Sequence, residues 1–287
     1  MSNDIAIFNL SHPIRKLDSD LATTEKYFLN NFGSNPYGKQ EAKMKTKIND
    51  ISKLILVLAE SALETIPEGL WTHPAVQRYS KRRGKHPRFL LLDRSYHHAA
   101  MRNLEGGEKR GRPDIVHFAL LEALGSPLNK EHLLQVYVHT INDYVIVVNP
   151  EARLPRNYSR FAGLMEQLFE LRRVPPNEQA LLTLEHKTLQ RLLHEIKPDY
   201  VMAFSRRGEP HPLEEAVSKL TDKERPVVIV GGFPHGPFSE TTVKLTNEVV
   251  CIDPEMLETW TVTSRVIYEY ERAISLPEKR LRHRPLR

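Results

Sequence analysis

Three arginines lie close together where a predicted strand gives way to a predicted helix. Arg153, Arg156 and Arg160 follow the apolar run 145–148, and the last two are four residues apart. Residues at that spacing share one face of a helix, and Pro155 suits a first helical turn. Guanidinium groups beside the free N–H groups of a helix start would form a phosphate-binding site. The alternative is that carboxylates elsewhere in the fold pair with these arginines, and the spacing does not decide between the two.

A second charged group lies at another predicted helix start, in the segment Arg112-Pro113-Asp114. Proline needs no N–H partner in a first helical turn, and the helix dipole favours a carboxylate there. An ordinary helix start therefore explains Pro113 and Asp114. It does not explain Arg112, whose charge the same dipole disfavours, so the alternative is that Arg112 and Asp114 form a positioned pair.

A glycine-rich loop, residues 231–236 (Gly-Gly-Phe-Pro-His-Gly), directly follows the apolar run 227–230. Glycines at the carboxyl end of a strand allow the backbone to approach a ligand closely. The spacing is not that of a dinucleotide fingerprint, and Pro234 and Pro237 oppose a helix start, which argues against a nicotinamide-dependent dehydrogenase. The loop could hold an adenosine through backbone contacts, although an ordinary turn is the simpler interpretation of two adjacent glycines.

The positive charge of the chain is concentrated in two short segments. The formal net charge is +5, and the five cationic side chains of residues 279–287 account for all of it, since 5 − 5 = 0. Local cationic clusters favour phosphate binding through counterion release. We interpret 279–287 as a solvated basic tail and the other cluster as a nucleic-acid contact. That cluster consists of Lys81, Arg82, Arg83, Lys85 and Arg88.

The remaining composition excludes several other kinds of chemistry. Cys251 is the only cysteine, which excludes internal disulfides and cysteine-based zinc sites and fits a reducing compartment. His97 and His98 would point about 100° apart on a helix, so no metal site is predicted. No apolar run reaches the roughly 18 residues of a membrane helix, and residues 1–10 do not resemble a secretory signal. We therefore expect a cytoplasmic protein that does not enter a membrane.

Continuous apolar runs and helical patterns alternate along the chain from Leu54 onward. Such runs are typical of strands buried on both faces, and their alternation with helices predicts an α/β domain with a mainly parallel sheet flanked by helices. Residues 1–53 are rich in turn formers and lysine, which predicts a poorly ordered extension before a domain at 54–274 and a basic tail at 275–287. The predicted strands are 54–59, 89–92, 134–139, 145–148, 200–204, 227–230 and 249–252, and the clearest helical patterns are 115–124, 161–169 and 262–270.

Several of these segments together resemble one family of proteins. That family is the ribosome-biogenesis methyltransferases of the SPOUT class, which act on N(1) of a pseudouridine in small-subunit rRNA. The resemblance extends from about Leu54 to Glu271 and is closer to archaeal than to eukaryotic members. Two departures are the 53 residues that precede it and a longer loop between Gly236 and Ile252. The segments that carry it are 54–60 (Leu-Ile-Leu-Val-Leu-Ala-Glu), 112–117 (Arg-Pro-Asp-Ile-Val-His), 134–140, 149–165 and 231–236.

The resemblance implies a SPOUT-type fold whose C-terminal part forms a deep trefoil knot. It also implies a homodimer and a bound S-adenosylmethionine held by three loops at the knot. Arg112 and Asp114 would be the catalytic pair that orients a flipped base, with Asp114 as a hypothetical acceptor of the N(1) proton. The RNA-contacting positions would be Arg112, Asp114, Arg153, Arg156 and Arg160. The cofactor-binding positions would be Ser205, Gly231, Gly236, Ile252, Asp253, Pro254, Glu255, Met256 and Leu257.

The function expected from this resemblance is S-adenosylmethionine-dependent methylation of N(1) of a pseudouridine during ribosome biogenesis. Small-subunit rRNA and a second copy of the chain are the expected partners, and ribosomal proteins or assembly factors remain open as further ones. The rival hypothesis is a non-enzymatic rRNA-binding assembly factor in which the cofactor loops are vestigial. Titration with S-adenosylmethionine distinguishes the two.

Overall fold

The computed structural model describes residues 52–282. Residues 1–51 and 283–287 lie outside the described residues, and with them nearly all of the predicted N-terminal extension and the end of the predicted basic tail. Every helix between residues 52 and 282 is too short or too polar to cross a membrane.

Eight strands form a single sheet. In chain order they are β1 (Leu54–Ser61), β2 (Leu134–Thr140), β3 (Tyr144–Val148), β4 (Arg173–Val174), β5 (Leu182–His186), β6 (Tyr200–Pro210), β7 (Pro226–Gly231) and β8 (Glu248–Cys251). Their order in the sheet is β4-β5-β3-β2-β1-β7-β6-β8. Neighbouring strands pair in parallel along β2-β1-β7-β6-β8. The pairs β2–β3, β3–β5 and β5–β4 are antiparallel. The sheet is therefore mixed, because β3 folds back on β2 through a turn at Asp143, which has a positive φ of 54°.

Helices cover both faces of this sheet. In chain order they are α1 (Pro74–Arg83), α2 (Arg94–His97), α3 (Pro113–Gly125), α4 (Pro127–Lys130), α5 (Tyr158–Leu171), α6 (Leu189–Ile196), α7 (Leu213–Thr221), α8 (Glu240–Lys244), α9 (Thr259–Ala273) and α10 (Leu276–Arg282). One face packs against α3, α5, α7 and α9, and the other packs against α6. Leu56 and Leu58 of β1 point to the first face, and Val57 and Ala59 point to the second. Burial on both faces explains the continuous apolar run of β1, whose prediction as a strand is confirmed.

The apolar run 89–92 does not form a strand, contrary to the prediction. Pro87–Phe89 is a short 3-10 helix, and the run contributes only an isolated bridge to Thr65. Leu90 and Leu92 are buried in a small separate core, formed by the segment between β1 and α3. The run is apolar because it fills this core, and not because it pairs within the sheet.

The C-terminal helices also differ from the prediction. Helix α9 ends at Ala273, close to the predicted stop, but α10 follows where a solvated basic tail was expected. Arg280 of α10 donates a hydrogen bond to the carbonyl of Pro127 at 3.1 Å and pairs with Glu131 at 3.3 Å. Part of the basic segment therefore packs against the domain.

Candidate active site

A cleft of about 190 Å³ opens where three loops meet at the carboxyl ends of β7 and β8 and within β6. The edge formed by the carboxyl ends of parallel strands is where open α/β sheets bind ligands. Eight of the nine predicted cofactor-binding residues line this cleft, and Pro254 is the one that does not. The eight are Ser205, Gly231, Gly236, Ile252, Asp253, Glu255, Met256 and Leu257.

Several further residues of the cleft were not predicted. They lie in the predicted loops or within two residues of their ends, so extending each loop slightly would have found them. They include Arg206, Arg207, Phe233, Phe238, Glu258 and Thr259.

Gly232 holds the glycine loop against the end of β1. Its N–H donates to the carbonyl of Ala59 at 2.9 Å, and its own carbonyl accepts from the N–H of Ala62 at 2.8 Å. A Cβ atom at position 232 would lie 2.1 Å from Oγ of Ser61 and 2.9 Å from its Cα. The close approach of two backbones therefore requires glycine here, which gives this residue a structural purpose that two adjacent glycines alone did not reveal.

Two further contacts hold the glycine loop. The hydroxyl of Thr259 donates to the carbonyl of Gly231 at 2.7 Å, which ties the loop to α9. The carboxylate of Glu60 accepts from the N–H of Ser239 at 2.8 Å and from the ammonium of Lys109 at 2.7 Å. Burial alone would raise the pKa of Glu60, but these hydrogen bonds outweigh it and lower the pKa. Glu60 is therefore charged when it anchors Ser239, the cap of α8, shortly after the glycine loop.

Arg112 and Asp114 form a positioned pair. Pro113 is the first residue of α3, as predicted, and two nitrogens of Arg112 donate to the Asp114 carboxylate at 2.7 to 3.1 Å. These hydrogen bonds raise the pKa of Arg112, and the charges of Glu258 and Asp93 raise it further. Phe118 of the same helix packs against Trp260 of α9 at 5.2 Å, and the preceding Thr259 lines the cleft, so α3 adjoins the helix that borders the cleft.

Arg153, Arg156 and Arg160 are exposed, and none of them forms an ion pair with another residue in the range 52–282. The predicted shared helix face is wrong. The cap of α5 is Asn157, whose side-chain oxygen accepts from the N–H of Arg160 at 3.2 Å. Asparagine is a strong N-cap residue, so Pro155 and Arg156 precede the helix and only Arg160 lies in its first turn.

His117 joins the starts of α3 and α5. It is buried in α3, and its Nε2 donates to the carbonyl of Pro155 at 2.7 Å. Its ring stacks on that of Phe161 in α5, with centroids 4.2 Å apart. The hydroxyl of Tyr158, the first residue of α5, donates to Asp93. The arginine-bearing loop is thus held at a defined place beside the start of α3, by contacts that no sequence spacing reveals.

The burial of His117 predicts acid sensitivity. Burial lowers the pKa of His117 and of His97 below the usual 6.5, so the unfolded chain binds protons that the folded chain does not. The free energy of unfolding should therefore have its full value above pH 6.5. Below pH 6.5 it should decrease by up to about 1.4 kcal/mol per pH unit for each histidine. Denaturant unfolding between pH 7.5 and pH 5 measures this slope. His117→Gln keeps a donor for Pro155 and should reduce the slope; an unchanged slope would contradict the assignment.

These features define an α/β protein with a ligand cleft at its strand ends and with exposed arginines that form no ion pair in the described part of the chain. Residues 56–271 match the family model described as EMG1/NEP1 methyltransferase. The chain belongs to this family, and the resemblance inferred from the sequence is confirmed.

Relatives from archaea support the same assignment. The chain is 51% identical over 219 residues to the protein named ribosomal RNA small subunit methyltransferase Nep1 of Pyrococcus furiosus, covering 76% of this chain and 96% of that one. It is 48% identical over 223 residues to the protein of the same name from Thermococcus kodakarensis, covering 78% of this chain and 100% of that one. The crystal structure of Archaeoglobus fulgidus Nep1 bound to S-adenosylhomocysteine superposes with a TM-score of 0.69 at 42% identity, covering 78% of this chain and 99% of that one.

Proposed function

We propose that this chain is a methyltransferase that transfers the methyl group of S-adenosylmethionine to N(1) of a pseudouridine in small-subunit rRNA during ribosome biogenesis. The observation that carries the proposal is the place of α3 between the strand-end cleft and the exposed arginines. Its neighbour α9 begins with Thr259 of the cleft, and His117 of α3 bonds to Pro155 in the loop that carries Arg153 and Arg156. The names of the relatives support the rRNA substrate, and the S-adenosylhomocysteine in the Archaeoglobus structure supports the cofactor.

The residues of the cleft fit S-adenosylmethionine in chemical character. Gly236 lines the cleft and has a φ of 91°, which residues with a side chain rarely adopt, so no Cβ stands between its backbone and a ligand. Ile252 and Leu257 offer apolar surface for an adenine ring, and Asp253 and Glu255 offer carboxylates for ribose hydroxyls and a sulfonium charge. When bound, the cofactor supplies an electrophilic methyl group.

The chain's own residues would act mainly by positioning the acceptor base. Enzymes that act on a base extrude it from its stack, and correct alignment of reacting atoms supplies much of the acceleration. Arg112 would orient the extruded base from its place beside the cleft. Both carboxylate oxygens of Asp114 accept hydrogen bonds from Arg112, which suits holding Arg112 better than removing the N(1) proton.

The Asp114→Asn variant separates these two roles. If Asp114 holds Arg112, turnover at saturating RNA stays near that of the unmodified chain while the affinity for RNA falls. Loss of a general base would instead cost about 100-fold or more in turnover. Single-turnover methyl transfer at saturating RNA measures the difference, and a loss of that size with unchanged RNA affinity would make Asp114 the base.

The Arg156→Ala variant tests the proposed RNA surface. Loss of one charge-assisted phosphate contact should weaken binding of a target hairpin by roughly 10-fold, since such a contact contributes about 1.5 kcal/mol. The slope of log affinity against log salt should fall by about one. Arg191→Gln is a charge-matched control, because Arg191 lies on α6 at the opposite face of the sheet and pairs with Glu195. An equal loss of S-adenosylmethionine affinity in Arg156→Ala would contradict the assignment.

The rival function, a non-enzymatic rRNA-binding assembly factor, shares the cationic surface but not the cofactor. Calorimetric titration with S-adenosylmethionine discriminates between them. Saturable binding that is weakened by Asp253→Ala supports the enzyme, and absence of binding supports the rival.

A homodimer and a trefoil knot belong to the same proposal. Phe118 of α3 is 45% exposed and packs edge-on against Trp260 of α9 at 5.2 Å, which leaves aromatic surface on two neighbouring helices for a second copy. The knot is proposed from the family resemblance. At the proposed knot, Gly208 lies where the pairing of β6 with β8 shifts register, and a Cβ there would be 2.5 Å from the carbonyl oxygen of Val249. A cytoplasmic location is proposed as well, because the single cysteine suits a reducing compartment.

A further inference from the structure

Two tyrosines form a stacked pair on the small core between β1 and α3. The rings of Tyr79 and Tyr96 have centroids 4.7 Å apart and an interplanar angle of 28°. Tyr79 is buried, whereas Tyr96 is 44% exposed. The guanidinium carbon of Arg82 lies 5.1 Å from the first centroid and 5.3 Å from the second. Because these two distances are nearly equal, Arg82 lies beside the stack and not on the outer face of Tyr96.

The stack rests on a rigid base. The hydroxyl of Tyr79 accepts from Arg83 at 2.8 Å, and Arg83 pairs at 2.8 Å with Glu166 of α5, which is almost fully buried. The buried ring of His97 packs edge-on against Tyr79, with centroids 4.8 Å apart. Fixed aromatic surface of this kind costs little entropy when a flat ligand stacks on it.

The basic cluster at 81–88, interpreted above as a nucleic-acid contact, divides into two parts. Arg83 and Lys85 are occupied by Glu166, at 2.8 and 3.4 Å. The others are exposed, and none forms an ion pair with a carboxylate in the described part of the chain: Lys81, Arg82 and Arg88. The cations that remain available for phosphate binding are thus Arg82, beside the tyrosine stack, and Lys81 and Arg88 on the same segment.

The stack adjoins the proposed RNA surface. Asp93, three residues before Tyr96, accepts a hydrogen bond from Tyr158 at the start of α5. The next residue, Arg94, donates its backbone N–H to the carbonyl of Gly111, beside Arg112, at 2.9 Å. The backbone N–H of Asp93 donates to Nδ1 of His97 at 3.0 Å, and the ring of His97 packs against Tyr79, so Asp93 connects Tyr158 with the tyrosine stack. An RNA strand held by Arg112 and by the start of α5 would therefore pass near Tyr96.

We infer that the exposed face of Tyr96 is a stacking platform for an unpaired nucleobase that flanks the methylated nucleotide, and that Arg82 contacts an adjacent phosphate. Every base has a π face, and an aromatic ring with a neighbouring cation is the usual way to bind a single-stranded nucleotide. This inference rests on the proposed function, since it assigns a second contact to the same RNA. An acidic protein segment could use Arg82 but would gain nothing from the tyrosine face.

A double-mutant cycle between Tyr96 and the RNA tests the platform. The RNA is a pseudouridine hairpin in which each loop nucleotide is made abasic in turn. Tyr96→Leu should weaken binding of the intact hairpin by about 5- to 150-fold, the range for loss of one base–aromatic stack, and Tyr96→Phe should restore it. At one flanking position, removal of the base should weaken binding to the unmodified chain but not to Tyr96→Leu. Arg191→Gln serves as the surface control.

A photochemical measurement needs no variant and therefore does not depend on folding of Tyr96→Leu. A hairpin with 5-iodouridine at the coupled position should crosslink to the peptide that contains Tyr96. Additive losses at every abasic position, or crosslinks that all fall outside residues 79–96, would overturn the inference. If the unmodified chain binds and methylates the hairpin but shows neither the coupling nor the crosslink to Tyr96, only the stacking platform is wrong. If the unmodified chain does not methylate the hairpin, the proposed function itself fails.

Discussion

The Gly232→Ala variant is expected to lose S-adenosylmethionine binding by at least about 10-fold, equivalent to about 1.4 kcal/mol. An added Cβ would lie 2.1 Å from Oγ of Ser61, 2.8 Å from its Cβ and 2.9 Å from its Cα. A rotated hydroxyl could relieve the first contact but not the other two, so the ends of β1 and β7 must separate. That movement breaks the 2.9 Å and 2.8 Å backbone hydrogen bonds of Gly232 to Ala59 and Ala62 and displaces the loop that lines the cleft.

Overpacking of this kind also costs about 1 to 3 kcal/mol of unfolding free energy, and more where backbone must move. Denaturant unfolding and calorimetric titration of the same preparation separate the two effects. Gly125→Ala is the matched control, because nothing lies within 4 Å of an added Cβ there. Undiminished cofactor affinity in Gly232→Ala would mean that the glycine loop does not form the cofactor site.

The Arg110→Met variant is expected to have the largest effect on stability, a loss of about 3 to 5 kcal/mol. Arg110 donates two hydrogen bonds to the carboxylate of Glu64, at 2.7 and 2.5 Å, and Glu64 is only 2% exposed. Asn142 donates a third at 2.7 Å, but an amide cannot neutralise the charge. Removing the guanidinium leaves the buried carboxylate of Glu64 uncompensated. Because Arg110 lies two residues before Arg112, RNA affinity should fall as well.

The double variant Arg110→Met with Glu64→Gln should recover most of that loss, because the neutral amide still accepts from Asn142 and leaves no buried charge. Arg272→Met provides the surface control. Arg272 is 51% exposed and pairs at 3.3 Å with the half-buried Glu269, and a pair that solvent reaches from one side contributes about 1 kcal/mol. Chemical denaturation of the four proteins measures the differences. Similar losses in Arg110→Met and Arg272→Met would show that the buried pair does not stabilise the fold in this way.

Local pattern predicted those features of the molecule that depend on neighbouring residues. The apolar run of β1 is buried on both faces, and Pro113 starts α3. Both features were predictable because strand burial and helix starts depend on a few neighbouring residues. The cofactor loops came from family resemblance, and the structure gathers eight of their nine predicted residues into one cleft.

Features that depend on distant parts of the chain were not predictable in the same way. The run 89–92 fills a second core instead of extending the sheet. An apolar run indicates that residues are buried, but it does not indicate which element they pack against. Arg83 pairs with a carboxylate 83 residues away, so charge spacing alone could not separate it from Arg82, which forms no ion pair within residues 52–282. His117 contacts Pro155 across 38 residues. Helix α5 begins at Tyr158 with Asn157 as its cap, so Pro155 does not lie in its first turn as predicted.

The central claim, that this chain methylates N(1) of pseudouridine in small-subunit rRNA, is tested most directly with two hairpins of one sequence that differ at a single nucleotide. One contains uridine and the other pseudouridine, and each is incubated with the chain and methyl-labelled S-adenosylmethionine. In pseudouridine N(1) carries a proton, whereas in uridine the same ring position is bonded to the ribose. Label incorporated only into the pseudouridine hairpin, and mapped to N(1), is the predicted result. Equal labelling of both hairpins, or of neither, would contradict the claim.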